Sequence, residues 1–272
     1  MAYRSITHHG SCREAALSDR AVQDALIRAL ADAPFRASPE WRQRELASED
    51  RLDRFAKFLA RHYYYERLVH FFRYSRALAR LTGRAPEAVL TSPGFERLLN
   101  SLVLGSRDSA VAVADLVTAH LATGRVAAIR YHDDLVQYQR AMMVVESGAR
   151  VWRDGSAAAD APSRPSLPLR VEGTMLLELR HDLPAVLPLL LRDWTVAPDA
   201  PAQATTLLIA RSAHGRVSVA RTTTTIATVL ELADGRRSLD DLARDAGLKP
   251  GELEATLDGL VEIGAVRFST GS

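Results

Sequence analysis

The pattern of apolar positions is clearest over residues 206–269, where it changes from alternating to helical spacing. Two β-prone runs, 206–212 and 216–222, are joined by a short segment that contains a glycine, which is typical of a β-hairpin. In the second run valines alternate with small or polar residues, as in a strand that is buried on one face. The pattern therefore predicts a hairpin followed by different structure.

Three helical patterns follow the hairpin, each bounded by residues that start or stop helices. These boundaries are Asp234-Gly235 after the first helix, Ser238 and Gly247 around the second, and Pro250 and Gly264 around the third. A last short strand is predicted at 265–268. The order of two strands and three helices fits a winged helix-turn-helix (wHTH) domain, which we place at 205–272.

Helical spacing dominates the first part of the chain, and we predict an all-α domain over 18–150. One helix of about 30 residues is capped by Ser48 and ends at Gly83, and so great a length favours a kink or break. Its predicted core stripe consists of Leu52, Phe55, Phe58, Leu59, His62, Leu68, Phe71 and Phe72.

Changes in composition give the remaining boundaries. Residues 1–17 are predicted to be a flexible N-terminus, and the run 151–168, rich in Ala and Pro, is predicted to be a linker. A short α+β piece with two strands and one helix is predicted over 169–196. The fold class is therefore α+β, with an N-terminal helical domain and a C-terminal wHTH domain.

Composition excludes some classes of function. The net charge of +2 gives no argument for binding to nucleic acid or to a membrane. Cys12 is the only cysteine, so no internal disulfide and no cysteine-based metal site is possible. The polar start of the chain contains no signal peptide, and we expect a cytoplasmic location.

The third helix of the wHTH pattern carries several acidic residues and would be repelled by phosphate. This charge disfavours the alternative function, a DNA-binding transcription regulator. The acidic residues of the helix are Glu252, Glu254, Asp258 and Glu262. A peptide that adds a strand to the hairpin is the favoured ligand. The predicted peptide-binding residues are Arg216, Val217, Ser218, Val219, Ala220, Arg221, Thr222, Leu253, Thr256 and Leu257. The two arginines are expected to meet acidic residues of the peptide.

The sequence of two segments, 229–242 and 257–266, resembles that of PqqD-type domains. The first combines an apolar helix, the turn Asp234-Gly235 and a Leu-x-x-Leu pattern, and the second ends at Gly264. Domains of this family recognise precursor peptides in the modification of ribosomally synthesised peptides (RiPP biosynthesis). The resemblance implies that residues 205–272 bind the leader part of such a precursor.

The order of predicted elements over most of the chain also looks like that of the partner subunits of multinuclear non-haem iron oxidative enzymes. The pattern in 62–81 and in 171–179 carries this similarity. Those enzymes modify cysteines in ribosomal peptides. The resemblance implies a non-catalytic subunit that forms a heterodimer with an iron-dependent enzyme, has no cofactor of its own and binds no nucleic acid and no membrane.

An aromatic and basic cluster near residues 61–76 suits either a core or a partner interface. The residues predicted for the interface are Tyr63, Tyr64, Arg67, Phe71 and Arg73.

A third hypothesis is a metalloenzyme. His62, Glu66 and His70 follow one another at four-residue spacing, but three such residues cannot all bind one ion, since His62 and His70 lie about 12 Å apart along a helix. The segment His132-Asp133-Asp134 contains a His-x-Asp spacing, although its acids are better explained as an N-cap and a first-turn residue.

Overall fold

The structure is a computed structural model that describes residues 11–44, 48–124, 129–147, 167–191, 197–212 and 214–269, with side chains from Asp19 onward. The predicted flexible residues 1–10 and most of the predicted linker lie outside the described residues. Helices and short antiparallel sheets are both present, so the fold class is α+β.

The helices of the first part are α1 (Ser11–Ala31), α2 (Ala33–Ala37), α3 (Pro39–Arg42), α4 (Glu49–Phe71), α5 (Arg73–Ala77), α6 (Ala79–Thr82), a 3₁₀ helix (Pro86–Thr91), α7 (Pro93–Leu98), α8 (Arg107–Ala122) and α9 (His132–Glu146). The later elements are β1 (Leu167–Arg170), β2 (Met175–Leu179), α10 (Leu183–Val186), β3 (Thr205–Arg211), β4 (Val217–Arg221), α11 (Thr224–Leu232), α12 (Leu239–Ala246), α13 (Pro250–Glu262) and β5 (Val266–Ser269).

Helix boundaries follow the capping residues of the sequence. Ser106 and Ser238 each accept a hydrogen bond from a backbone N–H in the first turn of the helix that they cap. Gly83 and Gly247 end α6 and α12 with positive φ. The long helix predicted from Ser48 to Gly83 is interrupted after Phe71, as its length suggested.

Contacts divide the chain into two compact units, which differ from the predicted domains. Unit 1 comprises Met1–Tyr65 and Leu90–Leu104, and unit 2 comprises Glu66–Val89 and Gly105–Ser272. Helices α5, α6, α8 and α9 therefore belong to the same unit as the strands rather than to a separate helical domain over 18–150. Helix α1 begins at Ser11, so part of the predicted flexible N-terminus is helical.

In unit 1 the inward face of α4 differs from the predicted stripe. Ala56, Ala60 and Tyr64 are buried, whereas Phe55 and Phe58 are exposed. The prediction that the two phenylalanines belong to the core is therefore wrong. Small alanines allow close packing but contribute little to an apolar pattern, so the larger aromatic side chains dominated the prediction.

In unit 2 the three-stranded antiparallel sheet has the order β2-β3-β4, and β1 pairs with β5 in a second, two-stranded sheet. The hairpin of β3 and β4 confirms the predicted pair of strands. Leu207 and Ile209 of β3 point into a core with α9, and Leu208 and Ala210 point into a core with α11–α13. The sheet is thus covered by helices on both faces.

Gly264 lies between α13 and β5 with φ of +81°. A Cβ atom at this position would overlap the carbonyl oxygen of Arg211 at the end of β3. Only glycine allows both this backbone conformation and this close approach. Gly264 thus allows β5 to begin close to the three-stranded sheet.

None of the described helices combines the length and the apolar character needed to cross a bilayer.

Candidate functional site

The outer edge of β4 carries backbone groups that no strand of the described chain pairs. Thr222 donates its N–H to Thr206, and Ser212 donates to Arg216, so the residues of β4 at even numbers face β3. Because the direction alternates along an antiparallel ladder, the N–H and C=O groups of Val217, Val219 and Arg221 point outward. This edge is the one that sequence analysis predicted for peptide binding.

A groove of about 390 Å³ lies beside this edge, on the face of the sheet that α11 and α13 cover. Its lining is mostly apolar, and a few polar groups come from threonine and from the end of β4. The lining residues are Leu208, Ala220, Arg221, Thr222, Ile226, Ala255, Thr256, Gly259, Leu260 and Ile263. A groove of this kind accepts apolar side chains from an extended chain.

Gly259 has no side chain, so it does not narrow the groove at this point of α13. Among the described residues, no atom beyond the local helix backbone lies within 4 Å of the point where a Cβ atom would stand, so the space at this residue is open. Ala255, Gly259 and Ile263 recur at four-residue spacing along one face of α13. These residues were not predicted from the sequence. Gly259 is the signal that could have indicated them, because a glycine inside a helical pattern often has a packing or functional reason.

The predicted groove residues of α13 occupy different positions. Thr256 lines the groove as expected, whereas Leu253 and Leu257 are buried in the core against the sheet. The prediction placed all three on one surface, but the two leucines point toward the sheet and are not available to a ligand.

The two arginines of the predicted site also differ from each other. Arg221 donates two hydrogen bonds, of 2.6 and 2.9 Å, to the carboxylate of the buried Asp182. This ion pair anchors the end of β4 to the turn before α10, so the side chain of Arg221 is already engaged. Arg216 is exposed at the start of β4, and no acceptor among the described residues contacts its guanidinium group.

A second cavity, of about 570 Å³, lies at the start of β4, and we call it the polar cleft. It is lined by Glu66, Arg67, His70, Phe71, Met142, Glu146, Gly215, Arg216 and Val217. The Arg67 guanidinium group forms an ion pair with Glu146 and donates a 2.7 Å hydrogen bond to the hydroxyl of Ser147. Arg211 lies 4.0 Å from the same glutamate.

The five residues predicted for a partner interface divide between the two units. Tyr64 and Phe71 are buried in units 1 and 2, respectively, and Tyr63 and Arg67 are half-buried. Arg73 is exposed, and its guanidinium group donates to the hydroxyl of Tyr74. The partner interface that includes these residues stays a prediction.

A different aromatic surface is exposed on α4 in unit 1. The ring of Phe58 stacks between those of Phe55 and His62, with 6.4 Å between neighbouring centroids. Phe58 is 61 % exposed. We call these three residues the aromatic stripe. Their spacing of three and four residues puts them on one face of the helix.

The residues considered for a metal site do not form one. Among the described side chains, no group of three or more His, Cys, Asp or Glu residues is placed to hold a metal ion. His62 belongs to the aromatic stripe. Glu66 and His70 lie in the polar cleft.

The segment His132-Asp133-Asp134 has a structural role. Tyr131 is the N-cap of α9 without a capping hydrogen bond from its side chain, so the predicted N-cap is wrong, while both acids lie in the first turn as expected. Asp134 accepts hydrogen bonds from the backbone N–H groups of Arg180 and His181 and lies 2.8 Å from the Nδ1 of His181. His132 is buried, and burial lowers the pKa of its imidazole.

No protein-family model matches this chain, and a search of curated proteins finds no match to it.

Proposed function

We propose that this chain is a non-catalytic subunit that binds an extended peptide by strand addition to β4. The observation that carries the proposal is the unpaired edge of β4 beside an apolar groove. Backbone hydrogen bonds along the edge supply affinity, and the groove selects an apolar side chain. The three outward residues of β4 provide three N–H donors and three C=O acceptors for this pairing.

In this proposal the hairpin, helices α11–α13 and β5 form a wHTH domain that binds peptide rather than DNA. Its third helix, α13, exposes Glu252, Glu254, Asp258 and Glu262. Such a surface repels phosphate, which argues against the alternative of a DNA-binding regulator. These acidic residues are not among those that line the groove.

The peptide that we propose is the leader of a ribosomal precursor, and the chain presents it to an iron-dependent oxidase that modifies a cysteine. Resemblance to PqqD-type domains and to the partner subunits of such oxidases supports this choice. The groove and the free edge suit an unfolded leader, since strand addition requires an extended backbone. Holding the substrate on a subunit raises its effective concentration at the enzyme.

The aromatic stripe on α4 is the surface that we propose for docking of the enzyme. Exposed aromatic side chains are enriched in interfaces, and neighbouring Arg51 and Arg54 are exposed as well. A partner surface with an apolar groove and acidic residues at its rim would complement this stripe. Phe58→Ser should then weaken co-purification with the enzyme and leave peptide binding unchanged.

Substitution of Gly259 tests the peptide site directly. A phage library of random 12-residue peptides is panned against the full chain, and an enriched peptide is labelled for fluorescence anisotropy. A Cβ atom at Gly259 meets no described atom beyond the local helix backbone within 4 Å. Gly259→Leu should therefore occupy the groove and lower the affinity about tenfold or more, because it takes the space of the peptide's apolar side chain. Leucine also favours the helix over glycine, so α13 should not be destabilised.

Gly251→Leu is the matched control. Gly251 also lies on α13 with open space around it, but it does not line the groove. This variant should bind as the wild type does. Failure of the library to yield any common sequence, or equal affinity of Gly259→Leu and wild type, would refute the proposed site.

A further inference from the structure

The polar cleft and the apolar groove lie on opposite faces of the same sheet and at opposite ends of β4. The groove is next to Ala220, whose partner Leu208 belongs to the core with α11–α13. The cleft is next to Val217, which packs against the core with α9. Both cavities are therefore adjacent to the outer edge of β4.

The register of an added strand determines which of its side chains point toward each of the two cavities. Residues that lie opposite each other on neighbouring strands point to the same face of a sheet. A peptide residue opposite Ala220 therefore points toward the groove, and a residue opposite Val217 points toward the cleft. These two positions are three residues apart, and an odd separation places their side chains on opposite faces as required.

The charges of the cleft indicate which side chain it accepts. Arg67 and Arg211 both lie close to the single carboxylate of Glu146. Arg216 adds a third positive charge at the edge itself, and Glu66 is the second carboxylate of the lining. Arg67 and Arg211 are engaged with Glu146, whereas no described acceptor contacts the guanidinium group of Arg216, so Arg216 is the cation that an incoming acidic side chain can meet.

The positions of Arg216 and Glu66 also favour an acidic side chain in the cleft. Arg216 belongs to the hairpin, directly before the first residue of β4. Glu66 belongs to α4, on the other side of the cleft. Phe71, Met142 and Val217 supply apolar surface within the lining, and a hydrogen bond between Arg216 and a carboxylate would be charge-assisted.

We propose that the polar cleft is a second peptide subsite, built by α4, α9 and the hairpin, that binds an Asp or Glu side chain. This acidic residue lies three positions from the apolar residue in the groove, and Arg216 is the specificity-determining group. The inference rests on the proposed function, because it requires a strand on the edge of β4. It extends recognition to helices outside the wHTH domain.

The test compares peptides selected from the same random library by the wild type and by Arg216→Glu, both as full chains. Wild-type peptides should share an apolar residue and, three positions away, an Asp or Glu. Arg216→Glu should select Lys or Arg at the same position and keep the apolar residue. Arg236→Glu is the matched control, since Arg236 is exposed but lines neither cavity.

Affinity measurements complete the test. Replacing the acidic residue of a selected peptide by Ala should weaken binding to wild type about tenfold. The same replacement should have little effect on binding to Arg216→Glu, and the difference should shrink at high salt.

The outcomes separate the two proposals. Peptides that share an apolar residue sensitive to Gly259→Leu, without a preferred acid three positions away, would overturn the second subsite and leave the proposed function intact. An acidic preference that Arg216→Glu does not change would also overturn it. Failure to select any peptide would overturn both proposals together.

Discussion

A single carboxylate, that of Asp134, organises the turn that follows β2. It is buried and accepts hydrogen bonds of 2.9 Å from two consecutive backbone N–H groups, those of Arg180 and His181. Buried N–H groups without an acceptor are costly, so this side chain holds the turn in place. Asp182 in the same turn accepts two hydrogen bonds from Arg221 at the end of β4.

Replacement of Asp134 should therefore be destabilising. Asp134→Ala leaves two N–H groups without their acceptor, and we expect the free energy of unfolding to fall by roughly 2–4 kcal/mol. Chemical denaturation monitored by circular dichroism measures the change. Asp133→Ala is the control, because Asp133 is in the same helical turn and is exposed; a loss as large as that of Asp134→Ala would contradict the explanation.

Burial of His132 predicts a dependence of stability on pH. Burial lowers the pKa of this imidazole below its ordinary value of 6.5. The unfolded chain therefore binds a proton more readily than the folded chain, so the stability contribution is complete above pH 6.5 and is lost as the pH falls toward the folded pKa. The free energy of unfolding should fall more between pH 7.5 and pH 5 for the wild type than for His132→Gln. Equal slopes would show that His132 does not contribute.

The sequence pattern around His132 and Asp134 predicted the start of a helix but not the contact of Asp134 with the turn after β2. The segment His132-Asp133-Asp134 indicated the start of a helix, and a helix does begin there. A local pattern contains no information about the turn 46 residues later that Asp134 contacts. Long-range hydrogen bonds of this kind follow from tertiary packing and are not encoded in spacing.

At the scale of elements, the two edges of β4 differ in what they tolerate. The N–H of Val219 points outward, while that of Ala220 is directed toward β3. Proline removes an N–H group and is accepted on the outer side of an edge strand, but not in a paired position.

This difference predicts opposite effects of two prolines. Val219→Pro should weaken binding of a selected peptide about tenfold, because one hydrogen bond to the peptide and its neighbours are lost. It should reduce the melting temperature by only a few degrees, because the N–H of Val219 makes no bond to β3. Ala220→Pro should destabilise the folded chain itself, because a bond to β3 is lost. Anisotropy and thermal unfolding measure both effects, and unchanged binding by Val219→Pro would exclude strand addition at this edge.

Elements whose signal is local were predicted well. The hairpin, the caps of α8 and α12 and the strands β2 and β5 agree with the sequence pattern because turn and cap residues act within a few positions. The face of α4 was predicted incorrectly since the helix has two candidate stripes. One consists of small residues around Ala56 and Ala60, and the other is the aromatic stripe. Hydrophobicity alone favoured the stripe that is exposed.

At the scale of the molecule, the proposed peptide-binding part is not separable from the rest of unit 2. The segment 205–272 lacks β2, which pairs with β3, and β1, which pairs with β5. Leu207 and Ile209 would also lose the core that they share with α9. The domain boundary at 205 was predicted from a change in composition. Composition carries no information about strand pairing, so it does not indicate that β1 and β2 complete the two sheets.

An isolated fragment 205–272 should therefore fail to fold. We expect an unfolded or aggregated product, because two edges and one apolar face lose their partners. Circular dichroism and proton–nitrogen correlation spectra of the fragment, compared with those of the full chain, measure this. A well-dispersed spectrum of the fragment would show that the hairpin and α11–α13 are an independent domain.

The close approach at Gly264 has a consequence for evolution. Any descendant of this sequence that keeps the sheet must keep a glycine after α13, since even alanine would meet the carbonyl oxygen of Arg211. Gly247 has open space around it and tolerates Asn, which also adopts positive φ. Divergent relatives should thus be recognisable by one invariant glycine before a final strand, even where the residues that line the groove have changed.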